Sequence, residues 1–131
     1  MNEIQLPITA LYGGLLVLMS VFVANRVLWA RLRGDKVPDW KEATNLRIQA
    51  NFSENVPLAL VMLLALEVGN LPAFWIHSFG GALFLSRFLH AWGMSRDPGA
   101  TYGRLIGAQG TFLLMSIMGM TGVMMFILPR L

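Results

Sequence analysis

The sequence predicts an all-α integral membrane protein, a four-helix bundle that forms one domain over residues 1–131. Hydrophobic residues make up 56% of the chain and charged residues only 13%, a composition typical of membrane proteins. Four long, mainly apolar stretches are separated by three short segments that contain glycine and either proline or charged residues. The chain is too short for a second domain.

The first two helices are expected over residues 5–33 and from Asp39 to about Val68. The first is interpreted as an uncleaved span, because it lacks the basic leader and the small-residue cleavage site of a signal peptide. Asp39 and Glu42 have the spacing of a capping box, in which two side chains satisfy the first backbone N–H groups of a helix. This pair therefore predicts where the second helix begins.

The other two helices are expected over residues 72–93 and 101–128. An uncharged turn, residues 69–72, precedes the third helix, and a turn at residues 97–99 precedes the fourth. Pro129 is expected to end the fourth helix, since proline cannot continue the hydrogen-bond pattern.

Loop charge predicts the orientation in the membrane. Four spans place loops 34–39 and 94–101 on one side and both termini on the opposite side. The first and third loops are flanked by arginines and lysines, whereas the second has none. Positive loops stay in the cytoplasm, so these two are predicted to be cytoplasmic. Short loops and the lack of a targeting segment favour a bacterial inner membrane.

Composition also excludes several kinds of site. With no cysteine, the chain has no disulfide, thiolate metal site or cysteine nucleophile. Its two histidines are far apart in sequence, so no metal site is expected. The net charge of +3 comes mainly from basic residues near span ends. The lipid bilayer, and not nucleic acid, is therefore the expected partner.

The second helix carries the main candidate site. Its apolar run, residues 56–68, is 13 residues long, whereas a span needs roughly 20. The helix must therefore include the preceding polar residues, and four of them share one helical face: Arg47, Asn51, Glu54 and Asn55. Polar groups at membrane depth usually serve a function. The alternative is that they only join helices through hydrogen bonds.

Further charged residues are predicted at the same depth. Arg87 and His90 lie near the end of the third helix, and Arg104 lies in the first turns of the fourth. Glu54 balances only one of the three arginines, so the surplus positive charge predicts a small anionic ligand that enters from the cytosol. His90 is expected to be an interfacial helix-end residue, without a role in the reaction.

Glycines predict close contacts between helices. Gly103 and Gly107 form a pair of small residues four positions apart, which lets two helix backbones approach within or between subunits. The interior of so small a bundle is limited, which favours a ligand pocket between subunits.

Two motifs resemble those of the MAPEG family, the membrane-associated proteins in eicosanoid and glutathione metabolism. They are Arg47-x-Gln49-x-Asn51-x-x-Glu54-x-x-Pro57 in the second helix and Arg87-x-x-His90-Ala91-x-Gly93 in the third. The resemblance, to a divergent bacterial-type member, covers nearly the whole chain. It implies a homotrimer that binds glutathione as co-substrate between neighbouring subunits, near the cytoplasmic face.

The resemblance also implies roles for single residues. Arg47 is expected to bind a glutathione carboxylate, and Asn51 to form a hydrogen bond with the glutathione backbone. Glu54 is expected to bind the amino group or to orient the arginines. Gln49 matches a further ligand-binding position, and Arg87 is expected to reach the ligand or complete the charge network. The catalytic role falls to Arg104, which would activate the thiol, since a nearby cation favours the thiolate.

The leading functional prediction is a membrane-bound glutathione-dependent transferase or peroxidase that acts on a lipophilic electrophile. The alternative is a non-catalytic lipid-binding or scaffold protein of the same fold. Asn55 and Met94, which replace tyrosines of other family members, favour the alternative, whereas Arg104 favours the enzyme. A small proton-coupled exporter is a third possibility, but its carboxylate is expected in the first span, which has none.

Overall fold

The computed structural model describes residues 5–96, 99 and 102–130 of the chain. These residues form four α-helices and no strand: α1 (Ile8–Arg33), α2 (Trp40–Val68), α3 (Ala73–Arg96) and α4 (Tyr102–Ile127). Short 3₁₀ turns follow α1 at Gly34–Lys36 and α4 at Leu128–Arg130. The prediction of an all-helical chain with four long helices is therefore confirmed.

Helix ends agree with the predicted ones to within a few residues. Helix α1 ends at Arg33, and the φ of 51° at the next residue, Gly34, lies in the left-handed region that favours glycine. Helix α3 extends to Arg96, three residues beyond the predicted end. The predicted turn at residues 97–99 and the predicted helix start at Thr101 lie largely outside the described residues.

The predicted capping box at the start of α2 is wrong, although the position of the helix start is right. Asp39 lies at the N-cap position but makes no side-chain cap hydrogen bond. Its backbone is already helical, with φ −57° and ψ −32°, whereas a capping residue is extended. Glu42 instead pairs with Arg31 of α1 at 2.8 Å.

The helices form an up-down-up-down bundle in which α2 and α3 occupy the centre. Helix α1 packs on α2 and α3, and α4 packs on the same two helices from another side. Within the described residues, α1 and α4 make no contact with each other. The bundle therefore has two inter-helix grooves, one among α1, α2 and α3 and one among α2, α3 and α4.

The apolar core is unevenly distributed along the bundle. Ten buried residues form the main cluster, among them Leu63, Ile76, Leu83 and Met118. Nearer the ends of α1 and α3 there is only a small cluster of Val23, Ile48 and Met94. This thinly packed part contains most of the arginines and lysines and is called the basic end below.

At the opposite end, Glu67 joins α2 to the beginning of α1. Its carboxylate accepts hydrogen bonds from the backbone N–H of Ile8 and of Thr9 and from the Thr9 hydroxyl, the last two at 2.8 and 2.7 Å. A carboxylate at a helix N-terminus satisfies unpaired N–H groups and complements the helix dipole. Glu67 of α2 therefore caps a neighbouring helix.

Three segments are long and apolar enough to cross a membrane: residues 8–36, 40–68 and 102–127. They fit an integral membrane protein. Helix α3 contains 24 residues, about 36 Å at 1.5 Å per residue, which is long enough to span. Its polar residues, which include two histidines and Arg87, lower its mean hydropathy, so α3 is not among the three apolar segments. A fourth span at α3 therefore remains a prediction.

Candidate functional site

Arg87 occupies the centre of the bundle at the groove among α2, α3 and α4. Its side chain is 2% exposed. One terminal nitrogen donates to the side-chain oxygen of Asn51 on α2, and the other donates to the carbonyl of Gly107 on α4, at 3.1 Å. One buried guanidinium thus joins three helices and fixes the direction of the Asn51 amide.

The charge of Arg87 has no acidic counterpart within the described part of the chain. The ion pair found there joins Arg31 to Glu42, away from Arg87. The Arg87 Nε is buried and has no hydrogen-bond partner among the described residues. Burying a cation is costly unless other groups compensate. The Asn51 oxygen and the Gly107 carbonyl supply only part of that compensation.

Arg47 and Glu54 point away from the chain's own core. Both side chains are exposed, whereas Ile48, Phe52 and Val56 form the buried face of the same helix. Neither Arg47 nor Glu54 has an ion-pair or hydrogen-bond partner among the described residues. We refer to Arg47, Glu54 and the neighbouring Asn51 as the polar face of α2.

Two further polar residues of α2 flank its buried face, Asn55 beside the polar face and Gln49 on the opposite flank. Asn55 donates its side-chain amide to the backbone carbonyl of Asn51 at 2.9 Å, which is a bond within the helix. Gln49, like Asn51 and Asn55, is partly buried. The amides therefore lie between the core and the outer surface, whereas Arg47 and Glu54 are on that surface.

His90 is buried against α4, which corrects the expectation of an interfacial residue. Its side chain is 5% exposed, and Nδ1 donates to the backbone carbonyl of Arg104 at 3.3 Å. Because a carbonyl can only accept, this bond places the proton on Nδ1. The other ring nitrogen, Nε2, is buried without a partner among the described residues.

Arg104 lies in the first turn of α4, partly buried at the basic end. Its guanidinium donates to the carbonyl of Gly99 at 3.5 Å, and its own carbonyl receives the His90 bond. Gly107 lies one turn further along and packs closely on α3. A Cβ at this position would lie 2.5 Å from the backbone nitrogen of His90. The close contact predicted at Gly103 and Gly107 is thus found within the chain, between α3 and α4.

The predicted site residues therefore fall into two environments. Arg87 and its partner Asn51 lie at the buried junction of three helices, whereas Arg47 and Glu54 face outward and are not paired with each other. Sequence spacing correctly places Arg47, Asn51 and Glu54 on one side of α2. It does not reveal that this side is directed mainly away from the core of its own chain.

The family model that matches the chain is that of the MAPEG family, over residues 8–124. The match includes all of α1, α2 and α3 and most of α4. The chain belongs to the MAPEG family. Searches of curated proteins and of solved structures returned no significant match.

Of Asn55 and Met94, the two residues that the sequence resemblance singles out, Met94 is part of the core. It is buried with Val23 and Ile48 in the small cluster at the basic end. Asn55 remains beside the polar face of α2, where its amide bonds to the helix backbone. The two positions at which the resemblance leads us to expect tyrosine therefore differ, one lying near the polar face and the other inside the bundle.

Proposed function

We propose that this MAPEG-family protein is a membrane-bound enzyme that either transfers glutathione to a lipophilic electrophile or uses glutathione to reduce it. Members of this family generally use glutathione. The observation that carries the proposal is the polar face of α2, with a cation and a carboxylate exposed on a membrane helix. Glutathione carries two carboxylates and one ammonium group, which these side chains complement.

The position of Glu54 supports a site between subunits. It stands midway along α2, whose 29 residues extend about 43 Å at 1.5 Å per residue. An exposed carboxylate at that depth is costly against lipid. A neighbouring subunit would cover it and enclose the ligand, so we propose a homotrimer in which each polar face contributes to a site at a subunit boundary.

Each residue then has a distinct proposed role. Arg47 binds a glutathione carboxylate, and Glu54 binds the ammonium group or orients the arginines. Asn51 forms a hydrogen bond with the peptide backbone of glutathione. Arg87 contributes from inside the bundle, because its bond to the Asn51 oxygen leaves the amide nitrogen of Asn51 available as a donor. Gln49, on the other flank of the buried face of the same helix, is proposed as a further ligand-binding residue.

We assign the activating role to Arg104. A thiolate is the reactive form of glutathione, and a nearby guanidinium favours it over the thiol. The bond from His90 to the Arg104 carbonyl and the tight packing at Gly107 fix the first turns of α4 against α3. The electrophile would enter from the bilayer and accept the sulfur at this end of the bundle. The basic loops support a cytoplasmic location for this end, and we propose the bacterial inner membrane.

The experiment that tests this function compares Arg104→Ala with Arg96→Ala in glutathione conjugation to a panel of lipophilic electrophiles. Arg96 is a matched control, because it lies at the same end and stacks on Trp92, 4.8 Å from the ring centre. Arg104→Ala is expected to lower kcat about a hundredfold while glutathione binding persists. Wild-type turnover in Arg104→Ala would contradict the role of Arg104, and no turnover by the wild type with bound glutathione would favour the non-catalytic alternative.

A further inference from the structure

A cavity of about 260 Å³ lies in the groove among α1, α2 and α3, on a different side of α2 from Arg47 and Glu54. Val23 and Ile48 contribute buried surface to it, whereas Phe22, Phe88 and Trp92 are half-exposed and surround its opening. The cavity therefore opens sideways from the bundle.

The cavity is apolar at one end and polar at the other. Met19 of α1 and Phe88 of α3 line the part nearer the middle of the bundle, and Arg26 and Ser95 line the part nearest the helix ends. Seven residues separate the two members of each pair, which corresponds to about 10 Å along a helix. Because α1 and α3 both end at the basic end, their polar members lie at the same level.

The polar rim is positively charged. Arg26 lines the cavity, and Lys41 donates to the backbone carbonyl of Ser95, another residue of the lining. Asn45, also in the lining, donates to the backbone carbonyl of Arg26 at 2.9 Å and fixes α1 against α2. None of the described residues that line the cavity is acidic. Two cations at one rim favour an anionic group there.

Packing explains why the cavity exists. The main core lies in the other part of the bundle, and only Val23, Ile48 and Met94 form a buried apolar cluster beside the cavity. An apolar void of this size leaves its lining atoms without contacts on one side. An alkyl chain would supply those contacts, and the surrounding bilayer is a source of such chains.

We propose that this cavity binds one acyl chain of an anionic phospholipid, with the lipid phosphate against Arg26 and Lys41. The apolar part accepts the chain and the rim neutralises the headgroup. Bound in this way, the lipid fills the space between α1 and α3 and stabilises the basic end. The site contains neither Arg47 nor Glu54, so it is distinct in position from the polar face of α2.

The test measures lipid binding to the full-length protein in a neutral detergent. The probes are phosphatidylglycerol and phosphatidylcholine with identical acyl chains, and glycerol phosphate as a headgroup without a chain. Arg26→Gln removes the rim charge, and Ala91→Phe places a ring in the cavity lining. Arg33→Gln is the matched control, because Arg33 and Arg26 both stack on Trp29 but only Arg26 lines the cavity.

The wild type and Arg33→Gln are expected to bind phosphatidylglycerol about tenfold more tightly than phosphatidylcholine, the size of one charge-assisted pair. Arg26→Gln should remove this preference, and Ala91→Phe should weaken both lipids while glutathione still raises the melting temperature. Equal binding of the two lipids by the wild type would overturn the proposal. So would an unchanged preference in Arg26→Gln, or glycerol phosphate binding as tightly as the lipid.

Discussion

At the scale of single residues, the two arginines of the predicted ligand site differ in environment. Arg87 is buried and bonds to α2 and α4, whereas Arg47 is exposed and has no partner among the described residues. We therefore expect their substitution to have different effects. Loss of Arg87 should affect folding, and loss of Arg47 should affect ligand binding.

Arg87→Ala should lower the free energy of unfolding by about 2–4 kcal/mol, because it leaves the Asn51 oxygen and the Gly107 carbonyl without their donor. Arg87→Lys should recover little of this loss, since an ammonium group cannot reproduce the fork of the guanidinium. Denaturant unfolding of the reconstituted protein measures the effect, with Arg96→Ala as an exposed control. A stability loss no larger for Arg87→Ala than for Arg96→Ala would show that the buried junction is unimportant for folding.

Residue environments were the part of the structure that the sequence predicted least well. The spacing of Arg47, Asn51 and Glu54 identifies a shared face, but a periodic pattern does not state what that face touches. Polar residues avoid lipid whether they face their own bundle or a neighbouring subunit. The cap that Glu67 supplies to Thr9 joins residues 58 positions apart, and no local pattern indicates it.

At the scale of helices, the contact between α3 and α4 depends on Gly107. A Cβ at this position would lie 2.5 Å from the His90 nitrogen and 2.6 Å from the Ser86 carbonyl oxygen. Both atoms belong to the backbone of α3, so they cannot move without shifting the helix. Gly119, in the same helix, has no neighbour within 4 Å of the corresponding Cβ position.

Gly107→Ala should therefore destabilise the protein by about 1–3 kcal/mol through overpacking. Gly119→Ala gains the same helix propensity without the clash and should be neutral or slightly stabilising. The two variants are compared by thermal unfolding in one detergent. Equal melting temperatures would contradict the close packing of α3 on α4.

Helix limits were predictable because they depend on local chemistry. Apolar runs and the turn at residues 69–72 place the ends of α1, α2 and α3 within about three residues. The capping box at Asp39 failed because Glu42 pairs with Arg31, a residue of another helix. A local rule was thus overridden by a contact between helices.

At the scale of the whole molecule, the exposed polar face of α2 requires a covering surface. We predict a particle of three identical subunits, measured by native mass spectrometry after release from the membrane. Substitution of both Arg47 and Glu54 by leucine should leave the helices intact but change either the number of subunits in the particle or the amount of glutathione bound to it. A monodisperse monomer with unimpaired glutathione-dependent turnover would contradict a site between subunits.

Glutathione binding at the polar face is the central claim, and thermal unfolding in its presence tests that claim most directly. A ligand at about 100 times its Kd stabilises the folded state by about 2.7 kcal/mol and raises the melting temperature accordingly. The account predicts this shift for the wild type and for Arg96→Ala, and its loss in Arg47→Ala. No shift in an intact wild-type oligomer, or an equal shift in Arg47→Ala, would contradict it.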